Sequence, residues 1–204
     1  MSNYSLSVHG AGKEIGRSSF VLNAEDERIL LDYGVKFTPE DTEYPLPITE
    51  KLDAMVLSHA HFDHSGFVPA LSKTNPTSIY TTLPTLELSK MLWQDSLKIA
   101  DKEGETPIYS QAHIDATIKN TIGMNYNKPI DITPKARLEF VDAGHILGSA
   151  MVKLDLKEKT FVYTGDYMAS PIRLHNGADI KGLGKIDYLM MESTYGNRTH
   201  PDRE

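Results

Sequence analysis

Apolar and polar positions along the chain fall into short runs rather than long periodic stretches. Tyr4 to His9, Ser18 to Asn23 and Arg28 to Asp32 are brief stretches bounded by turn-forming residues, and they predict three strands. Asp53 to Ser58 (Asp-Ala-Met-Val-Leu-Ser) is a continuous apolar run that predicts a buried strand. Leu88, Met91, Leu92 and Ile99 recur at helical spacing after Pro84, so a helix is expected there, its stripe packed in the core with Trp93 beside it. A second helix is expected around Gln111 to Asn120. Three more strand-like runs follow, Arg137 to Val141, Ala150 to Leu156 and Thr160 to Tyr163, and then Asp187 to Met191 leads into Glu192-Ser193-Thr194-Tyr195-Gly196. Strands early, helices between and strands again suit two sheets packed face to face with helices outside, an α/β arrangement.

The segment Gly10-Ala11-Gly12-Lys13-Glu14-Ile15-Gly16 looks at first like a phosphate-cradling loop. It lacks the Gly-Lys-Ser/Thr ending of a P-loop and the strand-to-helix setting of a dinucleotide fingerprint, so it reads as a glycine-rich connection between strands.

Composition narrows the picture. A chain of 204 residues, 40% hydrophobic and 24% charged, should fold and suits one α/β domain with a sizeable core. It has no cysteine, which excludes disulfides and thiolate metal ligands and leaves histidine, carboxylate and water to hold a metal. The start, Met1-Ser2-Asn3-Tyr4, has no basic or apolar lead segment, and no apolar run approaches the ~20 residues needed to span a bilayer. A soluble cytoplasmic protein without a membrane partner is the expectation. The net charge of −7 runs against a nucleic-acid enzyme, because phosphate binding rests on a surplus of Lys and Arg. A local basic groove can nevertheless coexist with an acidic whole, and the carboxylates of a metal site count against it only until the metal binds.

The chemistry concentrates in His59-Ala60-His61-Phe62-Asp63-His64, directly after the expected buried strand. Alternation along an extended backbone puts His59 and His61 on one side, and a turn at Phe62 brings Asp63 and His64 to an adjacent position. That arrangement suits two metals. One histidine alone would be an ordinary core or surface residue; four ligand-type residues at this spacing point to a metal. Further candidates follow strand-like runs: His145 in Gly144-His145-Ile146-Leu147-Gly148-Ser149, Asp166 after Gly165, and Asp32 before Tyr33-Gly34. Either aspartate alone could merely cap a turn. His9, His113 and His175 have no ligand-spaced partners and read as structural or solvent-facing.

Taken together, this set resembles the metallo-β-lactamase superfamily. The resemblance implies an α/β metallo-β-lactamase fold, an αββα sandwich, with two zinc ions. His59, His61 and His145 would hold the first ion, Asp63 and His64 the second, and Asp166 would bridge both. Asp32 would orient a ligand histidine through its other ring nitrogen. The Gly10 to Ser18 run, the Gly144 to Ala150 run and above all Glu192-Ser193-Thr194-Tyr195-Gly196-Asn197-Arg198 are similar to the β-CASP branch. That branch includes the endonuclease of the cleavage and polyadenylation specificity factor, its archaeal relatives and RNase J. It implies a zinc-dependent ribonuclease with RNA as substrate, and adds Glu192 to Asp63 and Asp32 in the catalytic set, with Asp63 also keeping the attacking group in line. His200 matches the sequence usual after the acidic motif, without an implied ligand role.

The resemblance also exposes a departure. In the branch a β-CASP domain is inserted after the acidic motif and the chain then returns to complete the first domain. Neither is present, so residues 1–204 are expected to be the N-terminal part of a metallo-β-lactamase domain, impaired by itself. The remainder would contribute two more histidines, one of them a ligand of the second metal. Uncovered strand edges favour self-association or pairing with a complementary C-terminal half. Two rivals stay open: a hydrolase of the same fold acting on a small ester or thioester, and a non-catalytic metal-binding half. The Glu192 to Arg198 run separates the first rival from the nuclease.

Overall fold

A computed structural model of the chain describes residues 3–39, 41–171 and 173–199; His200 lies outside them. In chain order the first elements are β1 (Tyr4–Gly10), β2 (Ser19–Ala24), β3 (Glu27–Leu31), the short pair β4 (Lys36–Phe37) and β5 (Thr42–Glu43), and β6 (Ala54–Val56). Helices α1 (Phe62–Ser65) and α2 (Val68–Thr74) lead to β7 (Ile79–Thr82), and α3 (Leu83–Glu103) and α4 (Gln111–Lys119) lead to β8 (Thr121–Met124). The second half is β9 (Ile130–Asp131), β10 (Arg137–Asp142), β11 (Ala150–Leu156), β12 (Lys159–Tyr163), a 3-10 turn at Ile180–Leu183 and β13 (Tyr188–Met190).

These strands form a six-stranded sheet of order β1-β2-β3-β6-β7-β8 and a five-stranded sheet of order β13-β12-β11-β10-β9. β1, β2 and β3 are an antiparallel meander, whereas β6, β7 and β8 join it in parallel, β6 after the segment that carries β4 and β5, and β7 and β8 after helical crossovers. In the second sheet only the β12–β13 pair is parallel.

Period-two alternation explains the layers. Ile29, Leu31, Ala54 and Val56 face the second sheet, where Leu138, Phe140, Val152, Leu154 and Phe161 meet them. Leu30, Met55 and Leu57 point the other way, onto Leu71, Leu86, Trp93 and Ile114 of the helices. The central strands are thus covered on both faces, which is why the run before His59 is continuously apolar. A smaller cluster of Val141, Met151, Val162 and Leu183 covers part of the second sheet's outer face. The result is the helix-sheet-sheet order of an αββα sandwich.

The apolar stripe expected on α3 needs correction. Met91, Leu92 and Ile99 are 66%, 37% and 49% exposed, and Leu88 is half-buried. The helix turns inward Thr85, Leu86, Ser89 and Trp93 instead. Small residues allow close approach there: the Thr85 hydroxyl donates to the Gly148 carbonyl and the Trp93 indole N–H to the Ser65 carbonyl. Its ends follow ordinary rules, with Thr82 accepting from the Thr85 amide and Gly104 closing the helix at φ 73°.

Two edges adjoin. β1 ends one sheet and β13 the other, and the Tyr4 and Tyr188 rings lie 6.4 Å apart. Leu6, Val8, Tyr188, Leu189 and Met191 are exposed along them. Among the described residues no helix is long and apolar enough to cross a membrane.

Candidate metal centre

The His-rich segment leaves the C-terminal end of β6 and closes with a single helical turn. His61 sits at the cap position of α1, and its carbonyl accepts from the amides of His64 and Ser65. So short a helix has few bonds of its own, and Ser18 before β2 and the segment after β3 supply the rest. The carbonyls of Phe62, Asp63 and His64 accept from the amides of Val35, Ser18 and Tyr33. Gly34 makes this clamp feasible, because a Cβ there would lie 1.7 Å from the Asp63 carbonyl oxygen. Phe62 starts the turn, a helical one, that brings Asp63 and His64 round beside His59 and His61.

The other contributors hang from the second sheet. His145 follows β10 in a turn where the Asp142 carboxylate accepts from the Gly144 amide at 2.8 Å, and Ser149 Oγ accepts from the amides of His145 and Ile146, each at 3.1 Å. Asp166 follows β12 through Gly165, at φ 54°; a Cβ on Gly165 would be 2.8 Å from Ser58 Oγ. Glycine at that point lets the strand-end loops of the two sheets close on each other.

His59, His61, His145 and Asp166 each offer a ligand-type atom, all within 4.8 Å of one another. His61 Nδ1 lies 3.1 Å from His59 Nε2 and 3.1 Å from His145 Nε2. Asp166 Oδ2 lies 3.9 Å from the former imidazole and 3.7 Å from the latter. The edges of a tetrahedron of nitrogen ligands around zinc are ~3.3 Å, from bond lengths of about 2.0–2.1 Å. Three ring nitrogens converging on one point repel unless a cation or proton lies among them, so this donor set fits a metal ion. The other carboxylate oxygen of Asp166 lies 3.4 Å from His64 Nε2, which is 3.8 Å from Asp63 Oδ2.

Asp32 has a different environment. Fully buried, it accepts from the Ser58 amide, the Ser58 hydroxyl, the Tyr163 hydroxyl and His64 Nδ1, each at 2.7 Å. It lies close enough to His59 and His64 to form a metal-ligand group with them, but its oxygens are occupied by these donors. Its backbone is left-handed at φ 57°, and the bond from its amide to the Val56 carbonyl helps hold that conformation. Ser58 and Tyr163 were not singled out from sequence; a hydroxyl in a buried strand carries no distinguishing pattern.

The electrostatics divide the histidines. Burial, then the neighbouring His64, His61 and His145, pushes His59 well below the usual imidazole range. Burial also lowers His145. Burial acts in the same direction on His64, but Asp166 and Asp32 outweigh it and raise its pKa to about 10. Asp166 is lowered: burial alone would raise it, and His64 more than compensates.

Glu192 stands at the rim, where its carboxylate accepts from the Tyr167 amide and its own amide donates to Thr164 Oγ1. A cavity of about 750 Å³ runs from Asp63, His64 and Asp166 past Glu192 to Asn197 on one side and Lys13 on the other. His9 and His113 are spent elsewhere, the first against the Leu46 carbonyl and the second in the α4 cap with Ser110. Among the described residues His175 joins no ligand group either.

Comparison with known proteins gives the family and the fold. Residues 21–194 match the family described as the metallo-beta-lactamase superfamily domain. The transcription termination factor FttA of Lokiarchaeum sp. is 36% identical over 202 residues, which are 95% of this chain and 32% of that protein. The protein named "Probable RNase MJ4" of Methanocaldococcus jannaschii is 39% identical over 200 residues, 96% of this chain and 46% of that one. The chain thus spans about a third to a half of the length of these relatives. A crystal structure of a protein of unknown function from Enterococcus faecalis V583 shares the fold at a TM-score of 0.59 and 20% identity, over 83% of this chain and 44% of that one.

Proposed function

Because the chain belongs to the metallo-beta-lactamase superfamily, we propose that it is part of a zinc-dependent ribonuclease of the β-CASP type, hydrolysing phosphodiesters in RNA processing or decay. The observation that carries this reading is the convergence of His59, His61, His145 and Asp166 from both sheets, with Asp166 also lining the open cavity beside them. RNA as substrate fits the cytoplasmic location expected from the sequence.

In this reading His59, His61 and His145 would hold one zinc ion, and Asp63 and His64 a second. Asp166 would serve both, since one of its oxygens faces His59 and His145 while the other faces His64. Zinc bound there would supply Lewis-acid polarisation of a phosphoryl oxygen and a water acidic enough to attack at neutral pH. The chain's own part is to orient. Asp32 fixes the ring of His64 through Nδ1 and leaves Nε2 aimed at the cavity. Ser58, in contact with both Asp32 and His59 Nδ1, ties the two histidines to one carboxylate. Glu192 fixes the loop that carries Asp166 by holding the Tyr167 amide.

Elemental analysis of protein purified without chelator should find zinc, the second ion held more weakly than the first. A chelator should abolish cleavage of an RNA oligonucleotide, and cleavage by the isolated chain should be weak. Metal-free protein that takes up no zinc on titration would overturn the reading. We further infer that the adjoining β1 and β13 edges are covered in use, by a complementary C-terminal half or by a second copy. The exposed apolar residues along both edges support this, and sedimentation that finds only monomer across a wide concentration range would argue against the second copy.

A further inference from the structure

The cavity beside the candidate metal centre is walled by carboxylates: Glu14, Asp63, Asp166 and Glu192 all line it, in a chain of net charge −7. A polyanion entering such a space needs a positive charge at a defined place. Among the described residues Lys13 is the one lysine or arginine on the cavity wall.

Its neighbours leave that charge free. Glu14, the nearest acid in sequence, is engaged by Arg17 at 2.7 Å and by Lys36 at 2.8 Å. Glu43 adds to the same brace, 3.3 Å from Lys36 and 3.4 Å from Arg17. The Lys13 ammonium itself makes no ion pair or hydrogen bond with any described residue. The brace also holds the loop rigid. The Arg17 guanidinium donates to the Tyr44 carbonyl at 3.1 Å, and its amide to the Val35 carbonyl at 3.2 Å. Ala11, Lys13 and Arg17 are kept in left-handed conformations at φ 60°, 66° and 47°. Non-glycine residues adopt these only where their surroundings impose them. Lys13 is thus a solvent-exposed point charge, unpaired among the described residues, on a braced base and lining the same cavity as Asp63 and Asp166.

We propose that Lys13 anchors a backbone phosphate of the RNA strand next to the one at the metal centre, an inference that rests on the ribonuclease reading above. A lysine in this role contacts charge and not bases, so it adds affinity without sequence preference. It also explains how an acidic chain admits RNA: Arg17 and the β4 residue Lys36 neutralise the acid of the loop between β1 and β2, and Lys13 is left to line the cavity.

The test is fluorescence anisotropy of a phosphorothioate-linked RNA oligonucleotide with the zinc-supplemented chain, repeated over a range of KCl concentrations. Each phosphate contact to a single strand contributes a slope of about −0.7 to log K against log [salt]. Lys13→Gln should weaken binding several-fold at low salt, equally for oligo(U) and oligo(A), and should flatten the slope by about 0.7. Lys13→Arg should restore the slope. Lys102→Gln, on the exposed last turn of α3, should leave it unchanged. If the wild-type chain binds and Lys13→Gln keeps the same slope, or Lys102→Gln flattens it as much, the phosphate anchor is wrong and the ribonuclease reading stands. If the wild-type chain binds no RNA even at low salt, both are wrong.

Discussion

The hydroxyl of Tyr163, the last residue of β12, donates to Asp32 Oδ2 at 2.7 Å across 131 positions of sequence. It joins the two sheets at the carboxylate that also receives His64 Nδ1. Removing a partner from a buried charged group costs about 1.5–3 kcal/mol. Tyr163→Phe should therefore lower the melting temperature of metal-free protein and weaken zinc uptake at the His64 side only modestly. Asp32→Asn should cost ~10–100-fold in affinity, the range for groups that orient a ligand. His61→Ala removes a converging nitrogen and should do more damage than either. Zinc titrations of the three variants would rank them, and Asp32→Asn abolishing binding more completely than His61→Ala would reverse the assignment.

Gly34 offers a sharper structural test. Its missing Cβ makes room for the Asp63 carbonyl, whereas Gly104 at the end of α3 has open space around it and differs only in its left-handed φ of 73°. Gly34→Ala should cost ~3 kcal/mol from overpacking and lower zinc affinity by displacing α1. Gly104→Ala should cost about 1–2 kcal/mol and leave zinc binding intact. Equal effects on zinc binding from both substitutions would show that the clamp does not position the metal-site turn.

Metal uptake should release protons. In the metal-free protein His64 titrates at about 10, because Asp166 and Asp32 outweigh the burial that would lower it, so it carries a proton at pH 7. A raised pKa contributes stability below the unfolded value, near 6.5, and that contribution is lost as pH rises through about 10. Zinc bound at Nε2 must expel this proton. Calorimetric titration in two buffers of different ionisation enthalpy should register the release at pH 7, and His64→Gln should remove it. No difference between wild type and variant would contradict the role of His64.

The Glu14 brace has an acid limit. Arg17 first, and then Lys36, hold its carboxyl below the usual 4.5. A depressed carboxyl contributes stability above its unfolded pKa and loses it as pH falls through the folded value. The stability difference between wild type and Glu14→Gln, measured by urea unfolding, should therefore be flat above about pH 5 and shrink below it. The effect should be small, because exposed pairs are screened by solvent. A difference that grew on acidification would exclude the brace as a stabilising feature.

Much of the fold was legible because its strands obey simple patterns. The run before His59 is apolar on both faces, and the runs over β10, β11 and β12 are strand-length, apolar-rich and bounded by turn residues. β7 and β8 escaped because four-residue strands such as Ile79-Tyr80-Thr81-Thr82 merge into the helix that follows. The α3 stripe misled because the helix approaches its neighbours through Thr85 and Ser89, small polar residues that no hydrophobic period marks. At the site, the His-rich run, His145, Asp166 and Asp32 stood out by residue type and spacing. Ser58, Tyr163 and the brace around Lys13 did not, because they act through tertiary hydrogen bonds and ion pairs between distant segments.

His59, His61, Asp63 and His64 hang from one sheet, His145 and Asp166 from the other, and His61 and His145 are separated by 84 positions. An ion shared by them would close a long loop in a chain that has no cysteine to do so. It would act as a reversible rivet between two layers otherwise held by side-chain packing, stabilising the folded state in which alone its ligands converge. Amide exchange would then slow together in β6 and β10 when metal is added. A chelator would loosen both layers at once, with no bond of the polypeptide broken.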